Sequence, residues 1–183
     1  MRPKGLLTVA RVLGSAGDIV SAEKAAQYGW IKPVRGNYAE WNLGPDEIPL
    51  GKNLFLDQGR QANAYAFGLK NPIENFVCQK VGFGTGTAAP NIAQTSLITR
   101  IPVNSADPVD DWVYTKEIAG VDWPGPFIAR VEFSIGFAEC NGFLITEMGL
   151  FTGDDTLVAR KVNSVGINKS SDFSPILTWR VRF

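Results

Sequence analysis

Phe127, Ala129, Val131, Phe133, Ile135 and Phe137 alternate with Arg130, Glu132 and Ser134, a period of two that predicts a strand with one buried and one wet face. Asn141-Gly142 follows, a dipeptide that tolerates the positive φ of a tight turn, and Phe143 to Phe151 supplies a returning strand, so a hairpin is expected here. Thr152-Gly153-Asp154-Asp155 makes the next turn, into a strand over Thr156 to Val162. Over Ile176 to Phe183, Leu177, Trp179, Val181 and Phe183 take one face and Thr178, Arg180 and Arg182 the other, the pattern of a strand docked in a sheet.

The first half is more punctuated. Gly5 to Val12 reads as a strand bounded by Gly14 and Gly17, and Glu23 to Tyr28 as a turn or two of helix. Between Gly29 and Gly51, Pro33, Gly36, Gly44, Pro45 and Pro49 favour short strands and turns, because proline denies a central strand its ladder donor. Asn53 to Asp57 reads as a short strand, and Gln58 to Leu69, rich in alanine, as a helix closed by Asn71-Pro72. Phe76 to Val81 is a further strand, running into Gly82-Phe83-Gly84-Thr85-Gly86-Thr87. Many short strands with one or two short helices predict a mainly β chain, an antiparallel β-sandwich or jelly-roll-like domain.

Composition narrows the chemistry. The 183 residues balance 18 Lys plus Arg against 18 Asp plus Glu, so the basic excess of a nucleic-acid binder is missing. The chain has no histidine, which removes Ser-His-Asp and Cys-His nucleophiles, His-bearing zinc sites and a histidine general base. Cys78 and Cys140 are too few for a four-thiolate metal site or a disulfide framework and read as reduced, partly buried thiols. No apolar stretch approaches the length of a membrane span, and the first residues lack a signal-peptide core, so synthesis in a cytoplasm and a soluble product are expected. No cofactor is expected, and no enzyme.

Each remaining motif has a bland reading beside a functional one. Gly82, Gly84 and Gly86 suggest a phosphate-cradling loop, but no Lys-Ser or Lys-Thr pair follows and Ala88-Ala89-Pro90 interrupts, which leaves a structural glycine loop. Asp107, Asp110 and Asp111, and the pair Asp154-Asp155, lack calcium-loop spacing and read as solvated turn acids. Glu147 sits in an otherwise apolar strand and needs a partner; Arg160, across the next turn, is the expected one, making a structural ion pair. Glu132, Glu139 and Glu147 are the carboxylates a glycoside hydrolase would draw on. Of the five tryptophans, Trp112 and Trp123 flank a Pro/Gly-rich span, Trp123-Pro124-Gly125-Pro126, expected as an exposed loop; these two are candidates for partner contact or sugar stacking.

Val81 to Pro90 with Thr95-Ser96-Leu97 resembles the "G-x-G-T-x-x-P … L" segment of many tailed-bacteriophage virion proteins. Leu144 to Phe151 with Leu157-Val158-Ala159-Arg160 resembles their "I-x-E-x-G-L-F … L-x-A-R" strand pair, and Ile167-Asn168-Lys169-Ser170 with Ile176 to Phe183 their "I-x-K-S … W-x-I-x-F" ending. The resemblance covers residues 53–183 and is to tail-fibre, collar and neck-type structural proteins. It implies a homo-oligomer that works by burying interfaces with other virion proteins, connector, tail or fibre components, in a particle assembled in the host cytoplasm. Residues 1–52 are then expected as an N-terminal extension carrying virion attachment, ahead of a β-rich domain over 53–183. The alternative is a carbohydrate-binding module for host adsorption, with a glycan as partner; a carboxylate-dependent depolymerase stands third.

Overall fold

The computed structural model describes residues 4–34, 36–41, 43, 47–61, 78–101, 115–118, 120–125 and 128–182. The chain runs β1 (Lys4–Gly14), β2 (Ile19–Val20), α1 (Ala22–Gln27), a 3-10 turn at Ala39–Trp41, β3 (Ile48–Phe55), β4 (Cys78–Gly84), β5 (Thr115–Glu117), β6 (Gly120–Gly125), β7 (Ile128–Ser134), β8 (Leu144–Thr152), β9 (Leu157–Asn168) and β10 (Phe173–Arg182). The strands bond in the order β5-β4-β8-β9-β3-β1-β10-β7-β6, with β2 beside β1, every pair antiparallel. This order folds into two sheets hinged at β3, whose first residues pair with β1 and whose last, Leu54 and Phe55, pair with β9. The chain is mainly β with two antiparallel sheets, consistent with the expected sandwich.

One core joins the sheets. Leu7 and Val9 of β1, Val131 and Phe133 of β7 and Leu177 and Trp179 of β10 meet Val81 and Phe83 of β4 and Met148 and Leu150 of β8, all buried. The rings of Phe83 and Phe133 lie 6.1 Å apart across the gap. A smaller apolar group, Leu56, Leu97, Phe151 and Leu157, forms separately. α1 starts at Ser21, whose hydroxyl accepts from Lys24 N at 3.3 Å. It stops where Gly29, at φ +70°, lets the Gly29 and Trp30 amides bond back to Ala26 O and Ala25 O.

Three expectations are corrected. Residues 1–52 are no appendage: β1 lies between β3 and β10, and the boundary at 52/53 cuts β3. The apolar run of β1 needs cover on both faces and both edges, which only a central position provides.

Asn141-Gly142 does not close a hairpin. The turn exists, with Phe143 N bonded to Cys140 O and Gly142 at φ +81°, but β7 pairs with β6 and β10 while β8 pairs with β4 and β9. The dipeptide therefore serves a crossover between sheets.

Trp123-Pro124-Gly125, expected in a loop, is the end of β6, an outermost strand of the order. Proline is tolerated on an outermost strand, and the register with β7 slips between Asp122 and Gly125, on either side of Pro124. Of the helix expected over Gln58 to Leu69, residues 57–61 are helical and the remainder lies outside the described residues, as do Trp112, Asp107, Asp110 and Asp111.

Candidate functional site

The glycine loop and the Glu147–Arg160 pair, expected separately, are one site. Gly84 pairs with Glu147 and Gly149 with Arg160, so both charged side chains rise from the same face of β8 and β9 as diagonal neighbours. Arg160 Nε donates to Glu147 Oε1 at 2.5 Å, and both side chains are 0% exposed.

The pair holds residues 85–101 onto the sheet. Glu147 accepts from Ile98 N at 2.8 Å and Thr99 N at 3.1 Å, while Arg160 Nη1 donates to Ala88 O at 3.1 Å and to Gln94 Oε1 at 2.8 Å. Thr146 Oγ1 adds a bond to Gly86 O at 3.1 Å. Arg160 Nη2 is buried without an acceptor among the described residues.

The glycines are there for room. A Cβ on Gly84 would strike Thr99 O and the Glu147 carboxylate, and one on Gly86 would strike the same carboxylate. Gly82 lies in β4 between Gly149 of β8 and Thr115 of β5. The loop therefore packs its backbone on a buried carboxylate rather than presenting amides to a phosphate.

Of the other carboxylates, Glu139 accepts from Gly136 N at 2.6 Å, and Glu132 is exposed on β7. Asp154 caps its own turn, accepting from Thr152 Oγ1 and from Thr156 N; the threonine hydroxyl is the main reason its carboxyl is held below the usual range. Asp155 pairs with Lys80 at 2.7 Å. Cys78 and Cys140 are not joined in a disulfide, and burial pushes Cys78 up to about 12. Asn141 contributes more than its turn: its Oδ1 accepts from Lys169 Nζ at 2.9 Å.

Three buried charges escaped the sequence reading. Lys169, 1% exposed, also donates to Ser170 O at 2.6 Å and Phe137 O at 3.3 Å, and lies 5.4 Å from the Phe173 ring centre. It pins the crossover from β7 to β8, and burial is the first cause of its lowered pKa. Arg180, on the polar face of β10, bonds Glu47 at 2.7 Å and Thr8 Oγ1 at 3.2 Å. Lys161 pairs with Met148, so its stem faces the sandwich interior beside Gly51, and desolvation lowers its pKa. The "I-x-K-S" segment contained Lys169, and an arginine in mid-strand was a signal for Arg180; neither names its partner.

No protein-family model matches the chain, and no curated protein or solved structure matches it.

Proposed function

We propose that the chain is a structural component of a tailed-bacteriophage virion, at the collar, neck or tail-fibre base, acting as a homo-oligomer that buries surface against other virion proteins. The observation that carries this reading is the convergence of separate motif residues on one closed knot. Gly84, Gly86, Glu147 and Arg160 come from segments up to about eighty residues apart, and all are spent on holding residues 85–101 against β8 and β9. A charged pair with 0% exposure, already engaged by backbone amides and carbonyls, leaves no face for a substrate. What such a knot provides is a rigid platform, the property required of a subunit whose work is to occupy a position.

Native mass spectrometry of the purified chain across micromolar concentrations, run beside a glycan array, tests the reading. A closed ring or a trimer with no glycan binding supports it. A monomer at every concentration that binds one glycan class saturably overturns it in favour of a carbohydrate-binding module for host adsorption.

A further inference from the structure

β1 is covered along one edge by β10, but its other edge is shared. β3 pairs with it up to Val9, opposite Ile48, and β2 takes over only at Val12, opposite Val20. Ala10 and Arg11 fall between, so no strand among the described residues pairs with them on that edge, and the ladder to β10 slips at the same place, between Val9 and Arg11. The chain leaves the sheet after Val20 for α1 and returns at Ile48, which leaves a notch in the sheet.

The notch is a groove of about 350 Å³. Val9, Val12, Val20 and Ile48 form its apolar floor and are buried in the main core. Its rim is open: Ile19 is 68% exposed, and Arg11 is exposed with no acidic partner among the described residues. The arginines of the neighbouring strands are matched, Arg180 by Glu47, Arg182 by Glu40 and Arg130 by Asp122.

We infer that this notch is a docking site for an extended segment of a protein partner that presents one apolar side chain with a carboxylate beside it. The apolar floor takes the side chain, the backbone groups of Ala10 and Arg11 continue the ladder for a residue or two, and the Arg11 guanidinium pairs with the carboxylate. Charge complementarity selects this occupant: Arg11 is the one charged residue among the described residues that line the groove. The inference stands independently of the virion role.

The test uses the full chain, labelled with 15N, titrated with the blocked tetrapeptide acetyl-Thr-Leu-Asp-Thr-amide and with its counterpart carrying Lys in place of Asp. The acidic peptide is expected to give saturable amide shifts confined to residues 9–12, 19–22 and 48, with a millimolar Kd, and the lysine peptide to bind at least about tenfold more weakly. Arg11→Gln, at an exposed side chain, should remove that preference without loss of fold, and Ala22→Trp should weaken both peptides by filling the groove. Equal binding of the two peptides, shifts elsewhere, or no saturation by about 10 mM overturns the proposal.

Discussion

Replacing Arg160 by methionine should destabilise the protein more than its size suggests. The substitution leaves the Glu147 carboxylate at 0% exposure with only the Ile98 and Thr99 amides, and frees Ala88 O and Gln94 from their shared donor. Stranding one member of a buried pair costs about 3 to 5 kcal/mol, a large part of the roughly 5 to 15 kcal/mol that holds a domain folded. Glu147→Met should cost a similar amount, because it strands the guanidinium and leaves two amides without an acceptor. The double variant carries no stranded charge; it leaves Ile98 N, Thr99 N and Ala88 O unsatisfied, at about 1 kcal/mol or more each. It should therefore be no less stable than either single variant, a coupling of about 3 kcal/mol or more. Urea unfolding of the four proteins measures the cycle, and amide exchange locates the damage, which should concentrate in residues 85–101. Additive losses, or a cost below about 1 kcal/mol for either single variant, would refute the assignment of these residues as the clamp on that loop.

Other expectations follow from neighbouring contacts. Gly86→Ala drives a methyl group into the Glu147 carboxylate and should cost about 1 to 3 kcal/mol in urea unfolding, whereas Gly17→Ala, with nothing near its Cβ, pays only for its positive φ. Lys169→Met removes the donor that ties Phe137 O and Asn141 Oδ1 of the β7–β8 crossover to Ser170 O of the β9–β10 turn and should lower stability by about 2 to 4 kcal/mol, with faster amide exchange at residues 137–143. Lys161→Met should do the opposite, gaining about 1 kcal/mol or more at pH 7, because the residue is 9% exposed, burial disfavours its charged form, and it has no partner among the described residues. Since desolvation lowers the folded pKa of Lys161 from 10.5, the unfolded chain binds more protons between that lowered value and 10.5; wild-type stability should climb toward that of the variant across this alkaline window, and a constant gap would contradict the reading.

How much of this was legible depended on whether a signal was local. The period of two at residues 128–134 marked β7, and the short helical stretch expected over Glu23 to Tyr28 overlaps α1, because strand faces and short helices are decided within a few residues. Glu147 announced its need for a partner by sitting among apolar neighbours, and Arg160 was only thirteen positions away. Glu47 and Arg180 are 133 positions apart, and no pattern within either segment points to the other. Asn141-Gly142 marks the failure most clearly. Its backbone preference was read correctly as a turn, yet a turn does not specify whether its flanking strands pair, and here the two belong to different sheets.

The polar face of β10 shows why alternation alone understates burial in this chain. Thr178 and Arg180 are as buried as Leu177 and Trp179 on the opposite side, because Leu6 and Thr8 of β1 share their face and Glu47, from the excursion between β2 and β3, pairs with Arg180. Residues 85–101 do the same for the other sheet, covering Glu147 and Arg160. Each sheet is thus packed on its inner face by its partner sheet and on its outer face by an irregular segment, and each irregular segment is tied down by one buried arginine and one glutamate. At residues 85–101 the irregular chain has backbone groups that strands cannot satisfy, so the charged side chains of Glu147 and Arg160, with several bonding positions, tether it where an apolar residue would leave those groups orphaned, while Arg180 ties Glu47 side chain to side chain. The two ion pairs are consequences of that layering: they stand where loop meets sheet, and moving either segment requires exposing or stranding a charge.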